Sequence, residues 1–221
     1  MTKKSLLNSL FALAAAVAFC GAIYMDSSAP AAAEPNALSS DSGTRVRDAL
    51  LNDPAVPSVA PAGYDVTIVV FSDYQCPYCR KLHPALKGLL HNDRKVRVVY
   101  RDWPIFGGPS IEAARAAIAS RYQGKHAAFD DALMAIKGKL TSDGIRTAAL
   151  NAGVDWKRLQ ADLVKHKTEI DGALARTDQF ARAMGLSGTP GLVIGSYLFP
   201  GALSEQNLQR AVQMARQHLP S

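Results

Sequence analysis

Cysteine is scarce: the 221 residues hold three, Cys20, Cys76 and Cys79. A disulfide-stapled mini-domain is thereby excluded, and the chain must rely on an apolar core, for which this length and 48% hydrophobic residues suffice. Aromatic residues make up only 7% of the chain, and the formal charge of +6 is spread without a lysine or arginine block. Nucleic-acid binding needs a basic stripe and stacking side chains, so no nucleic-acid partner is expected. No internal repeat occurs at any period. A phosphate-cradling loop is also missing: Gly107-Gly108 runs into Pro109, and no Lys-Ser or Lys-Thr follows.

One long apolar run is present. Lys3 and Lys4 precede Leu6 to Met25, and the small-residue stretch Ala29 to Ala33 follows. That order is the pattern of a signal peptide over 1–33, with cleavage expected after Ala33 and a periplasmic or otherwise extracytoplasmic destination. The run is about 20 residues, enough to cross a bilayer, so an uncleaved membrane anchor is the alternative. Phe19, standing before Cys20 where a small residue would be needed, argues against lipidation there. Loss of the signal removes Cys20 and leaves Cys76 and Cys79.

Residues 34–62 are rich in Ala, Pro and Ser and read as a linker, with one helix-compatible piece at Val46 to Leu51. Asp65 to Phe71 is then a β-branched run suited to a strand buried on both faces. Cys76 to Leu90 suits a helix, with Pro77 in its first turn and Pro84 deeper, where it should kink the helix. Lys95 to Tyr100 makes a second strand, which predicts a parallel βαβ unit with the chemistry at the carboxyl ends of the strands. From Ser110 to Gly185 the periodicity is helical: Ile111, Ala114, Ile118 and Tyr122 share a face, as do Trp156, Leu159 and Leu163. A further helix through Ile170 and Leu174 has Thr168 as its expected cap. Gly191 to Phe199 reads as a hairpin about Gly195-Ser196, and Ser204 caps a last helix.

Cys76 falls where the first strand ends and the helix begins. A thiolate there faces unpaired N–H groups at the positive end of the helix dipole, which lowers its pKa into a range of about 3.5 to 7.5. Cys79, one turn on, is expected to be less exposed with a more ordinary pKa. Cys76 is then the sulfur that attacks or is attacked, and Cys79 resolves the mixed disulfide. As a structural staple the pair is weak, because its loop is tiny. A closed zinc site wants four ligands, and His83 and His91 lack the usual paired spacing, so no metal and no cofactor is expected. Two thiolates do suit Cu(I), and copper capture in the same compartment stays open.

Cys76-Pro77-Tyr78-Cys79, preceded by Phe71-Ser72-Asp73 and followed by Pro84, a helical block and Gly188-Thr189-Pro190 before a hairpin, resembles the DsbA-like branch of the thioredoxin superfamily. It is also similar to the suppressor-of-copper-sensitivity branch, through Leu51-Asn52-Asp53-Pro54 ahead of the first strand. The resemblance implies an α/β, thioredoxin-like fold with an inserted helical domain: 63–105 plus 186–221 forming the thioredoxin-like domain and 106–185 the insertion. It implies a thiol–disulfide oxidoreductase with Cys76 and Cys79 catalytic and with Pro77 and Tyr78 tuning the potential. Pro190 would follow a cis bond, and the Thr189 backbone beside it would pair with a client. The partners implied are reduced or misfolded exported proteins and a membrane redox protein, either a quinone-linked oxidase or a reducing donor. The activity is expected to introduce disulfides; isomerase or reductase action is the alternative. Val70 stands where many relatives carry a buried acid, six residues before the first cysteine, and cannot hold a proton near the pair. Asp73 is expected in a turn, solvated or capping. Arg80 and Lys81 either favour the thiolate or form a solvated helix face.

Overall fold

Strands made of β-branched residues need cover on both faces, and the arrangement of helices supplies it. The structure, a computed structural model, describes residues 37–218. In chain order these form α1 (Ala37–Leu51), β1 (Ser58–Val59), β2 (Val66–Ser72), α2 (Pro77–Asn92), β3 (Val96–Asp102), α3 (Gly108–Ser120), α4 (His126–Met134), α5 (Ser142–Asn151), α6 (Trp156–Lys165), α7 (Lys167–Ala183), β4 (Gly191–Ile194), β5 (Tyr197–Pro200) and α8 (Glu205–Gln217). The five strands lie in the order β1-β3-β2-β4-β5, with β2 and β3 parallel and the other pairs antiparallel. The expected signal peptide, Cys20 and the first residues of the expected linker lie outside the described residues. Among the described residues no helix is long and apolar enough to cross a membrane.

Side chains alternate across a strand, and the two faces of the central sheet go to separate cores. Ile68 and Val70 of β2, with Val96, Val98 and Tyr100 of β3, pack beneath α2 and α8 through Leu82, Leu86, Leu89, Leu208 and Val212. Val69, Phe71 and Val99 face the helical block and meet Ala113, Ala117, Phe129, Leu133 and Ile170. That block, α3 to α7, is the helical insertion between β3 and β4. Its central helix α3 buries most of its length, all five alanines from Ala113 to Ala119 included, and small side chains let its neighbours approach.

The linker expected at 34–62 is corrected by the structure. Helix α1 reaches back to Ala37, Ala55 and Val56 are buried, and β1 pairs with β3. The reason lies in β3: Arg101 is fully buried there and requires acceptors. Its guanidinium donates to the carbonyls of Ala49 and Leu50 at the end of α1 and pairs with Asp53 Oδ2 at 3.2 Å. Asp53 also accepts from Arg176 Nε of α7 at 2.8 Å. A stretch whose composition reads as tether is thus fastened by a charge that only the folded chain reveals. Helix α7 begins at Lys167 with His166 as its cap position, so Thr168 lies inside the first turn. Ser204 does cap α8, accepting from Asn207 N–H at 3.2 Å.

Candidate active site

Strand β2 delivers the chain to the site and a buried turn holds it there. Asp73 Oδ1 accepts from Gln75 N–H at 2.7 Å, while the Cys76 N–H bonds the Asp73 carbonyl at 3.0 Å. The same carboxylate accepts from Ser110 Oγ at 2.7 Å and from Phe106 N–H at 3.0 Å. Asp73 is only 1% exposed, which corrects the solvated role expected of it: it ties the cysteine loop to the start of α3. The turn leaves Cys76 as the N-cap of α2, in an extended conformation, with Pro77 at the first helical position. The helix runs on through Pro84 to Asn92.

Both cysteines are free thiols in this structure. Cys76 is brought down to about 5, first by the hydrogen bond its sulfur receives from Cys79, then by the Thr189 hydroxyl and by the N–H groups of Cys79 and Tyr78; burial works the other way. The Thr189 hydroxyl is buried without another partner, so it is free to turn to the thiolate. In the thiol form Cys76 Sγ donates to the Thr189 carbonyl at 3.2 Å. Cys79 is pushed far up, foremost by the adjacent Cys76 sulfur and next by burial, with the Asp73 N–H at 3.5 Å opposing weakly. The expectation of an ordinary pKa for Cys79 is therefore corrected. One proton is shared unequally by the pair, and Cys76 is the sulfur without it.

The remaining residues anticipated from sequence gather here too. The Thr189–Pro190 bond is cis, and Thr189 and Pro190 line an open groove of about 480 Å³ together with Tyr78, Lys81, Ala85 and Leu203. Tyr78 is 63% exposed at its rim. Arg80 is engaged elsewhere, donating to the carbonyls of Tyr74 at 2.8 Å and Gly138 at 2.7 Å; it braces the loop.

A set of buried polar groups behind Cys79 was not foreseen. Val70 is buried and carries no acid, but in the parallel register Val70 lies beside Tyr100 and Ser72 beside Asp102. Asp102 therefore sits on the same face as Val70, one strand over and one rung along. It is fully enclosed, and burial first, then the charge of Asp130, raise its carboxyl well above the usual range. Neither of its oxygens has a hydrogen-bond partner. Tyr74 donates instead to Asp130 Oδ1 at 3.0 Å. Burial lifts Asp130 to about 6, against the pull of His83. His83 lies with Nδ1 3.6 Å from Asp130 Oδ2 and Nε2 2.8 Å from Asp131 Oδ1. The signal in the sequence was the pair Arg101-Asp102 closing the strand after Val98-Val99-Tyr100, a place where charge is costly unless it has work to do.

A five-stranded sheet whose first parallel crossover carries a Cys-x-x-C pair at the helix N-terminus, facing a cis-proline loop, defines a thioredoxin-like fold with a helical insertion and the site of a thiol–disulfide oxidoreductase. Residues 67–213 match the DSBA-like thioredoxin domain, and the chain belongs to that family. Among solved structures it is similar to a thioredoxin-like oxidoreductase from Silicibacter pomeroyi, with 42% identity and a TM-score of 0.74 over 78% of this chain and 99% of that one. A periplasmic thioredoxin-like protein from Salmonella enterica serovar Typhimurium is 30% identical, with a TM-score of 0.69 over 78% of this chain and 97% of that one. The thiol-disulfide exchange protein alpha-DsbA2 from Wolbachia pipientis is 27% identical, with a TM-score of 0.73 over 80% and 95% of the two chains. Curated relatives named as Na(+)/H(+) antiporters NhaA, from Salinispora tropica and Salinispora arenicola, are 29% identical over 157 residues. The match takes in 70% of this chain and only 24% of those proteins' length.

Proposed function

We propose that this chain is an exported oxidase of protein thiols, donating the Cys76–Cys79 disulfide to reduced client proteins. The observation that carries the reading is the unequal pair. A Cys76 thiolate at a helix N-terminus, with its pKa brought to about 5, stabilises the dithiol form, and a stabilised dithiol makes the disulfide oxidising. Client thiolate attacks Cys76 Sγ, the Cys76–Cys79 bond breaks, and its electron pair leaves on Cys79. A second client thiolate then attacks the client sulfur of the mixed disulfide, and Cys76 departs as the stable thiolate. The client ends two electrons poorer, and this chain ends as a dithiol.

The Thr189 backbone and the groove lined by Tyr78 and Pro190 receive an extended client segment beside Cys76, by backbone pairing that tolerates many sequences. The dithiol is returned to the disulfide by a quinone-linked membrane oxidase. Export rests on the Leu6–Met25 run and on the periplasmic relative.

Two measurements test this. The disulfide form, mixed with a reduced client, should become the dithiol as the client gains a disulfide, and Cys79→Ala, which cannot hold that disulfide, should transfer none; failure of the unaltered protein to oxidise the client overturns the reading. The Cys76/Cys79 pair should be mainly oxidised in the cell. A mainly reduced pair would instead make the protein an isomerase or reductase fed by a reducing donor.

A further inference from the structure

Disulfide exchange moves a proton as well as electrons, and the structure holds a device for it. Each time Cys79 attacks a mixed disulfide it must lose a proton, and each time it leaves it must gain one. Its sulfur is buried, and in the mixed disulfide the Cys76 thiolate is gone, so burial alone holds the proton on. Bulk water does not reach such a group readily, and Val70 offers no acid.

Behind Cys79 lies a cavity of about 10 Å³, bounded by Val70, Ser72, His83, Tyr100, Asp130 and Met134. That is about the space one water molecule occupies. Among the described residues the only carboxyl on its wall is Asp130, from α4. His83 bridges from this wall to Asp131 at the surface, where Lys87 Nζ holds Asp131 Oδ2 at 2.6 Å. His83 is 14% exposed and Asp131 42%, against 3% for Asp130, so the three make a graded path outward.

We propose that Asp130 takes the proton from Cys79 Sγ, through one water in this cavity, when Cys79 attacks, and returns it when Cys79 leaves, with His83 exchanging the proton onward to solvent. The step rests on the thiol–disulfide reading above. In the attack, the Cys79 S–H bond breaks and its electron pair forms the S–S bond to Cys76. The proton passes to the Asp130 carboxylate, and the partner sulfur departs as a thiolate. No further oxidant or reductant enters.

Every element around Asp130 bears on its proton. Tyr74, in the cysteine loop, donates to it. Asp102 of β3 opposes a second negative charge, while His83 and Lys87 of α2 favour one. Asp131 neighbours it on α4, and Tyr100 feels its charge. His126, one turn earlier, is buried and kept neutral by that burial. The resulting value of about 6 leaves Asp130 able to both accept and give a proton near neutral pH, which is what a relay requires.

The test starts from a mixed disulfide of Cys76 with glutathione and follows release of glutathione, by Cys79 attack, against pH. In the unaltered protein the rate should rise through an inflection near 6 and flatten above it. Asp130→Asn should abolish the inflection, leave a rate that climbs steadily with hydroxide, and slow release at pH 7 by about tenfold or more, since positioned acid–base groups contribute that much and upward. His83→Gln, at a position that is 14% exposed and keeps a polar side chain of similar length, should slow release in the same pH range and carries the test if Asp130→Asn does not fold. Release with unchanged rate and inflection in these variants overturns the proposal. A lower rate with the inflection kept also overturns it, because that is a packing effect. Failure of the function reading looks different: no mixed disulfide would be resolved by the unaltered protein either.

Discussion

Arg101 and Asp53 meet at 3.2 Å with both side chains almost wholly enclosed, 0% and 5% exposed. The contact joins the middle of the sheet to the segment that follows α1. Arg101 also lies over the Phe180 ring at 5.1 Å, and Arg176 closes the set from α7. Three parts of the chain, the approach, the sheet and the helical block, therefore share one charge cluster.

Removing the carboxylate leaves a buried guanidinium without its counter-charge, and such deletions cost about 3–5 kcal/mol. Asp53→Ala is expected to lose stability of that order in denaturant titration, with the Cys76 thiolate titrating as before because the site is not touched. Asp53 is held below the usual carboxylate range by Arg176 and then Arg101, against burial. Its contribution is therefore present above the unfolded pKa near 4 and lost as pH falls through its lower folded value. The variant's deficit should shrink in acid.

The cysteine pair gives a second pH signature. Folded, Cys76 loses its proton at about 5; unfolded, a thiol does so at about 8.5. Between those values the unfolded chain binds more protons, so stability of the dithiol form rises with pH across that window. Cys79 has the opposite sign: its folded value lies above the unfolded one, so above about 8.5 it takes stability away again. Denaturant curves of the dithiol protein from pH 4 to 10 should show a rise and then a decline. The disulfide form has no thiol to titrate, so the rise and the decline should appear in the difference between the two forms' curves.

Much of this was legible in the chain. The β-branched runs at Val66–Ser72 and Val96–Asp102, the helix after Cys76 and the hairpin at Gly191–Pro200 carry their own periodicity, and the burial they specify is the burial found. Cys76, Pro77, Tyr78 and Cys79 adjoin in sequence, and Thr189 and Pro190 are brought to them by β4 pairing with β2. Three things were hidden. Helix α5 has an apolar stripe of only Ile145, Ala148 and Ala149, too faint to read. The order of residues 50–62 depends on Arg101, and the acids behind Cys79 arrive from β3 and α4. The last two are contacts between charges or dipoles far apart in the chain, and no local pattern encodes those.

Asp102 allows a prediction of the less usual sign. Its carboxyl stays protonated in the fold well above the usual range, whereas unfolded it ionises near pH 4. Folding therefore works against that ionisation at neutral pH, and the stability it contributes is full only below about pH 4, falling as pH rises. Asp102→Asn has no charge to bury, so it should be more stable than the unaltered protein at pH 7, on the order of 1 kcal/mol or more. The gain should vanish below pH 4, where both side chains are neutral in both states. Equal stability of the two proteins across the range would mean that Asp102 ionises freely in the fold. A stabilising change that also slows resolution of the glutathione adduct would show that the enclosed acid is kept for function at the expense of stability.

Asp73 permits the converse. Its carboxylate receives Gln75 N–H, Phe106 N–H and Ser110 Oγ, and the Ser110 hydroxyl, fully buried, has no water to fall back on if it is removed. Asp73→Ala should lose about 1–3 kcal/mol, the loss expected when a charged acceptor is taken from one enclosed and two half-enclosed donors. The chemical consequence is more informative than the loss. Cys76 caps α2 because the Asp73 turn delivers it there; with the turn loosened, the N–H groups of Tyr78 and Cys79 no longer converge on one sulfur position. The thiolate midpoint, read by its ultraviolet absorbance against pH, should then move upward from about 5 toward the free-thiol value, and the disulfide should become less oxidising with it. Asp73→Asn keeps one acceptor oxygen and should fall between the two proteins in both readouts. An unmoved midpoint in Asp73→Ala, with stability lowered, would show that the helix terminus is fixed by Pro77 and the α2 packing alone.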